Sequence, residues 1–310
     1  MAVQQKVIQS INEFPGTSFD VPLGAHSSFR CGGVASCLYS PKNIQDLAMF
    51  RRWNSQPETF LGGLSNVLIR SGGINGVVIR LKNICQCNVS EQSVFGGGMR
   101  NVDACKMVAS AGYSGMEFLI GIPGTVGGAV VMNAGAHGVE VADILAWVEV
   151  MDETGAITRI YRQDLNMTYR DGGIKAGQLV TQVCFNLRPS TQDKVAMQHA
   201  QVLCERAART NFGKNVGTAG SAFKNPPPKS SDGRRAWELI DIAGCRGLTR
   251  GGAMVSNKHA NFLLNMGTAT PGDIEALGDE VRKRVFESTG VLLEWEIKIV
   301  GDKSESTKNT

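Results

Sequence analysis

Two glycine-rich segments, Leu61-Gly62-Gly63-Leu64-Ser65-Asn66 and Gly121-Ile122-Pro123-Gly124-Thr125-Val126-Gly127-Gly128, restrict this chain to folds in which bare backbone meets bare backbone or a ligand. Glycine has no Cβ, so successive peptide N–H groups can turn toward one anion and the main chain can approach a pyrophosphate closely. Ser65, Asn66 and Thr125 add donors. One such turn alone would be ordinary connectivity. Eight glycines between Gly112 and Gly138, with a matching loop upstream, exceed what connectivity needs. Neither segment reads as GxGxxG between a strand and a helix or as GxxxxGK[ST], which disfavours a Rossmann dehydrogenase and a P-loop enzyme. The remaining pattern is a nucleotide-type cofactor whose diphosphate lies across two loops of an α+β domain.

A chain of 310 residues that is 42% hydrophobic has enough apolar material for two or three domains with their own cores. Its net charge is +4 with scattered basic residues, which favours a polyanionic small ligand over a nucleic-acid groove. No aromatic-basic stacking motif accompanies them. Arg282-Lys283-Arg284 falls on an expected helix, where a solvated face accounts for it. The eight cysteines show no CxxC pair, no zinc spacing and no secretory segment before them, so they read as reduced thiols of a cytoplasmic protein without a metal. The run from Phe118 to Ala136 lacks charge, but Pro123 and its glycines make it an irregular segment that lipid would not tolerate, so no membrane insertion is expected.

Short apolar runs at Phe60-Leu61, Val67-Leu68-Ile69 and Val77-Val78-Ile79, separated by paired glycines, predict buried strands joined by tight turns. A helix is expected near 101–110, and a hairpin where 144–151 and 156–161 flank Asp152-Glu153-Thr154-Gly155. A strand over 179–187 ends at Arg188-Pro189, where a domain boundary is placed before a polar helix over 192–209. Beyond it come a helix near 234–243 stopped by Gly244, and strands around 252–256 and 261–265. A helix capped by Thr270 and begun by Pro271 carries Ile274, Leu277, Val281 and Val285 on one face and ends at Gly290. An alternating strand follows over 291–300, with Leu293, Trp295, Ile297 and Ile299 on one face and Glu294, Glu296 and Lys298 on the other.

The segments Pro22-Leu23 with Ser28-Phe29-Arg30-Cys31-Gly32-Gly33, Leu61 to Leu68, Gly112 to Gly138, Tyr169-Arg170-Asp171, Ala219-Gly220-Ser221-Ala222-Phe223-Lys224-Asn225-Pro226, Val255 to Phe262 and Gly290 to Glu296 occur in one order along nearly the whole chain. In that order they resemble successive motifs of the UDP-N-acetylenolpyruvoylglucosamine reductases (MurB), short-loop type. The resemblance implies an α+β chain with a vanillyl-alcohol-oxidase-type (PCMH-like) FAD-binding region over 1–190. That region has two subdomains split near 80–90. A separate α+β substrate-binding domain over 191–300 and a disordered tail over 301–310 complete the expectation. It also implies non-covalent FAD, NADPH as electron donor, and reduction of UDP-N-acetylglucosamine enolpyruvate to UDP-N-acetylmuramate in peptidoglycan precursor synthesis.

By the same resemblance, Ser221 matches the serine that protonates the substrate alkene, and Arg170 and Glu296 the charged pair that steadies the enolate-like intermediate. Gly62, Gly63, Leu64, Ser65, Asn66, Gly121, Ile122, Pro123, Gly124, Thr125, Gly127 and Gly128 fall in the cofactor loops. Arg209, Lys224, Asn225 and Lys258 are the candidates for the diphosphate and sugar. By composition alone Ser221 would be a turn residue, Arg170 a surface arginine and Glu296 one charge on a solvated strand face. His259 is read as structural. The sequence departs from the family's pattern where Gly172 follows Asp171 in place of a common serine, where Asn211-Phe212-Gly213-Lys214 replaces a Gln-Pro pattern, and in having no tyrosine after Tyr169. A flavin oxidase acting on another alcohol or sugar would share the loops but not need Ser221 and Glu296. A non-catalytic nucleotide-binding protein would need none of Arg170, Ser221 and Glu296.

Overall fold

The computed structural model describes residues 14–303. Weak helical signals over 1–20 and a disordered tail over 301–310 are expected from the sequence; 1–13 and 304–310 lie outside the described residues, whereas Thr17–Pro22 is a strand and Asp302 is held by Gly73, its N–H donating to Gly73 O at 2.8 Å. Strands and helices alternate irregularly along the chain, as an α+β fold requires. The largest sheet has five strands in the order Ile157–Tyr161, Leu145–Met151, Leu179–Asn186, Gln92–Gly96 and Cys87–Asn88. All its pairings are antiparallel. A four-stranded sheet has the order Thr17–Pro22, Val34–Tyr39, Ile74–Ile79, Glu58–Phe60.

The described residues resolve into two compact units that interleave in sequence: 14–19, 37–63 and 76–206 form the first, and 20–36, 64–75 and 207–303 the second. In the first, the five-stranded sheet packs its inner face on the helix Asn101–Ser110 and the glycine-rich segment, around Phe95, Phe118, Leu119, Val148 and Phe185. A smaller core gathers Tyr39, Leu47, Phe50, Ile79 and Met151. Arg51 is buried beside it and is fully engaged: it meets the Glu58 carboxylate at 2.8 Å and donates to Met151 O at 2.7 Å and Gly177 O at 2.9 Å. A buried guanidinium demands such partners.

In the second unit, the antiparallel sheet Thr249–Arg250, Ala253–Val255, Leu263–Asn265 is covered by the helix Pro271–Thr289. That helix forms as its caps predict: the Thr270 hydroxyl accepts from Asp273 N, Pro271 occupies the first turn, and Gly290 adopts the left-handed φ of 72°. Ile274, Leu277, Val281 and Val285 are all fully buried. Arg282, Lys283 and Arg284 meet Asp279, Glu287 and Glu280 on the solvated face.

Two distant segments join this unit for identifiable reasons. Val67–Ile69 runs parallel to Lys298–Val300, and the Arg70 guanidinium meets Glu275 at 2.8 Å, holding that carboxyl below its usual range. The Phe29 ring is fully buried in the same core, with its carbonyl accepting from Asn265 Nδ2 at 2.8 Å.

The last stretch differs from the strand expected over 291–300. Only Lys298–Val300 is strand, with an isolated bridge at Trp295–Phe223. Its backbone has no single neighbour: Glu294 O accepts from Lys224 N, Glu296 N donates to Ala222 O, and Lys298 N donates to Asn66 O. The alternation of exposure persists, with Leu293 and Ile297 buried and Glu294 exposed. Trp295 folds under the helix, where a Cβ on Gly278 would stand 1.9 Å from its Cη2. Four of the eight free cysteines are buried, Cys31 is partly buried and Cys85, Cys87 and Cys204 are exposed; burial pushes the Cys31 and Cys37 thiols up to about 11, which keeps those two protonated and unreactive.

Gly278→Leu should therefore overpack the helix against Trp295 and cost roughly 1–3 kcal/mol. Urea unfolding followed by tryptophan fluorescence measures this, and an unchanged midpoint would contradict the packing described.

Candidate active site

In the first unit the two glycine-rich loops touch. A Cβ on Gly63 would stand 2.7 Å from Gly124 Cα, and one on Gly62 2.7 Å from Thr125 Oγ1. Thr125 caps the helix Val126–Val131 by accepting from Gly128 N at 3.3 Å. The second loop is anchored from below by Asn101, whose N–H donates to Gly124 O at 3.1 Å and whose Nδ2 donates to Ile122 O at 3.0 Å.

A third glycine run supports the second loop. Gly127 N donates to Gly97 O at 2.9 Å, and a Cβ on Gly98 would overlap Leu81 O at 1.6 Å. Gly127 thus serves backbone packing, and Gly121 lies against Val202, whose Cγ1 would be 2.9 Å from an added Cβ. Pro123 is exposed at the loop tip, next to the partly buried Ile122. Arg80, partly buried, donates to Gly62 O at 3.1 Å, and desolvation lowers its pKa. A positive charge removed from water beside a glycine cradle suits a phosphate, and sequence patterning does not single it out because it follows an apolar strand outside both glycine-rich segments.

Arg170 belongs to this unit. It occupies a tight turn in which Thr168 and Asp171 exchange backbone bonds at 2.9 and 3.0 Å. Its φ of 59° is left-handed, which a non-glycine residue holds only where neighbours compel it. Its Nη2 donates to Gly135 O at 3.3 Å, and its guanidinium lies 4.8 Å from the Tyr169 ring.

Asn133 does the compelling. Its Nδ2 donates to Thr168 O at 3.0 Å and to Glu140 Oε2 at 2.9 Å, while its Oδ1 accepts from Ala142 N at 3.0 Å. Gly172 completes the dock by donating to Val131 O at 2.9 Å, and a Cβ there would fall 2.0 Å from Val130 O. The glycine that departs from the family's pattern is a steric requirement of this turn.

Ser221 and Glu296 both belong to the second unit. Ser221 bridges Phe262, while its neighbour Ala222 accepts from Glu296 N at 2.8 Å. Leu64, buried with φ 55°, and Asn66 also fall in this unit. Asn66 Nδ2 donates to Glu296 O at 3.1 Å and its own carbonyl accepts from Lys298 N at 3.0 Å. Asn66, read from sequence as a cofactor residue along with Ser65, thus also holds the Glu296 backbone.

Of the candidates for the diphosphate and sugar, Lys224 Nζ lies 3.6 Å from Glu294, and Asn225 Oδ1 accepts from Ala236 N at 3.1 Å. Lys258 Nζ donates to Asn211 O at 2.6 Å at the edge of an open pocket of about 410 Å³ that also includes Phe212, Ser256 and Met266. His259 accepts from Asn261 N through Nδ1 at 3.3 Å, so its proton sits on Nε2. Burial, with Arg209 and Arg246 adding repulsion, lowers its pKa. The imidazole is packed edge-on against Phe262 at 4.9 Å, in agreement with a structural part.

Among the described residues no helix is long and apolar enough to cross a membrane, and no cluster of His, Cys, Asp and Glu could hold a metal.

Residues 210–300 match the family model for the C-terminal domain of UDP-N-acetylenolpyruvoylglucosamine reductase, and residues 35–161 match that for an FAD binding domain. The chain is 43% identical over 287 residues to the UDP-N-acetylenolpyruvoylglucosamine reductase of Acidiphilium cryptum, covering 91% of both chains. It is 41% identical over 290 residues to that of Gluconobacter oxydans, covering 92% of both. The crystal structure of UDP-N-acetylenolpyruvylglucosamine reductase (MurB) from Thermus caldophilus superposes with a TM-score of 0.77 at 32% identity, over 92% of this chain and 98% of that one. The expected α+β fold with an FAD-binding region is met.

Because Gly172 is pressed against Val130 O, Gly172→Ser should lower stability by roughly 1–3 kcal/mol rather than improve the site. Thermal melting together with flavin content reads this out, and a serine variant as stable and active as the parent would remove the steric account.

Proposed function

The chain belongs to the UDP-N-acetylenolpyruvoylglucosamine reductase family, and from that premise we propose that it reduces UDP-N-acetylglucosamine enolpyruvate to UDP-N-acetylmuramate, in the cytoplasm, with electrons from NADPH. The observation that supports this reading is the bond between Ala222 O and Glu296 N, which ties the segment that carries Ser221 to the segment that carries Glu296.

The first unit fits FAD on its own chemistry. Loops in which a Cβ on Gly62 or Gly63 would collide with Thr125 or Gly124 form a backbone-lined cradle, and Arg80 adds charge beside Gly62. Bound there without a covalent link, FAD would supply the hydride chemistry that connects NADPH to the methylene carbon of the enolpyruvyl ether. The protein must bind, orient and provide one proton. Ser221 donates that proton from Oγ to the other alkene carbon, a task for a neutral hydroxyl that needs no activating histidine. Arg170 and Glu296 act as the charged pair that steadies the enolate-like intermediate, the planar donors of arginine being suited to grip both oxygens of a carboxylate as charge builds. The left-handed turn that sets Arg170 makes this a preorganised contact rather than one paid for during reaction. Lys224, Asn225, Lys258 and Arg209 bind the diphosphate and sugar, where cationic and amide donors match phosphate oxygens.

The purified protein should be yellow, bleach anaerobically with NADPH, and recover colour on adding the enolpyruvyl nucleotide rather than rapidly with oxygen. Ser221→Ala should retain FAD and its bleaching while recovery slows about 10²–10⁴-fold, the usual worth of a positioned acid. A colourless protein, fast reoxidation by oxygen alone, or an unimpaired serine variant would overturn the reading.

A further inference from the structure

The backbone that carries Ser221 is held by the side chain of Asn261. Asn261 is buried, 4% exposed, and both ends of its carboxamide bind one residue: Oδ1 accepts from Phe223 N at 3.0 Å, and Nδ2 donates to Phe223 O at 2.8 Å. This is the paired exchange that one strand makes with another across an antiparallel ladder, here performed by a single side chain. The main chain of Asn261 adds a third bond, its carbonyl accepting from Ala222 N at 2.8 Å. The opposite edge of the same short segment is taken by the C-terminal stretch, with Glu296 N on Ala222 O at 2.8 Å and Lys224 N on Glu294 O at 2.9 Å. Phe223 is itself buried at 1% and stacks at 4.8 Å on Trp295.

The segment from Ser221 to Lys224 is thus clamped between Asn261 and the Glu296 stretch, and Ala222 links the two sides. We infer that Asn261 is a positioning residue for the proton-transfer step: by pairing with both polar groups of Phe223 it fixes the Ser221 hydroxyl relative to Glu296. Other residue types do not satisfy the geometry. Leucine or alanine would leave the Phe223 N–H and C=O buried without partners, and an ionised aspartate would set oxygen against the Phe223 carbonyl. Ser221 and Glu296 then owe their mutual placement to a clamp built from one amide. The inference rests on the reading of Ser221 as proton donor given above.

Asn261→Asp makes this testable, because the protonated acid reproduces the amide's pattern, with C=O accepting and O–H donating, and the carboxylate does not. Stopped-flow measurement separates bleaching by NADPH from recovery with the enolpyruvyl nucleotide. At mildly acid pH the variant should recover colour near the wild-type rate. At mildly alkaline pH recovery should slow about tenfold to a hundredfold, the scale of a small misplacement of a reacting group, with a larger solvent deuterium isotope effect and an unchanged bleaching rate.

Wild-type protein over the same pH range corrects for titration of His259, which bonds to the Asn261 N–H. Asn261→Ser, which withdraws the group from Phe223 without burying a charge, should show the slow recovery and large isotope effect at all pH values. It serves if the aspartate variant does not fold. Equal loss in both half-reactions, or recovery that is unimpaired in both variants, overturns the role of Asn261. Failure of the wild-type protein to recover with the enolpyruvyl nucleotide would instead overturn the proposed reaction itself.

Discussion

Contact between naked backbones is the constraint on which the first unit rests. Gly63 against Gly124, Gly127 against Gly97 and Gly98 against Leu81 bring main chains to distances that any Cβ would forbid. The cost is conformational entropy, since each glycine gives up more freedom on folding than another residue would. What results is a cradle whose walls are peptide groups with Arg80 at the rim, suited to a diphosphate. The same logic reaches Arg170. Its turn docks on the end of the glycine-rich helix through Gly172 and Asn133, so the cofactor loops and a candidate catalytic arginine share one rigid foundation.

The second unit solves a different problem with different means. Ser221 and Glu296 come from segments that are far apart in sequence and have no regular sheet to align them. Single bonds between irregular stretches do the work instead, with Asn261 on one side, Asn66 on the other and Ala222 between. Carboxamides suit this because each offers a donor and an acceptor in one plane and so can stand in for a missing strand. Two asparagines from different parts of the chain thereby shape a site whose proposed chemistry uses neither as an acid or a base.

Local features of the sequence carried over well. The helix from Pro271 to Thr289 has its cap, its proline, its buried stripe and its terminal glycine where the pattern indicates, because all of these act within a few residues of one another. The hairpin around Asp152 and Gly155 is likewise local, with Leu145–Met151 antiparallel to Ile157–Tyr161. The stretch from Val291 to Val300 shows the limit. Its alternating exposure is real, yet the ladder it implied is absent beyond Lys298–Val300, because hydrogen-bond partners are chosen by distant segments and not by alternation.

The order of residue types along the chain was enough to establish the capped helices, the glycine-rich loops suited to a nucleotide-type cofactor and an ordered set of motifs, each a matter of residue types at short spacing. The resemblance those motifs carry implied the family and its flavin chemistry. Tertiary structure alone decided that 20–36 and 64–75 pack with the second unit, that Gly172 is required by Val130 O, and that Asn261 grips the Ser221 segment. Those facts depend on which remote backbones come within hydrogen-bonding distance, and a linear pattern contains no record of such distances until the core has closed.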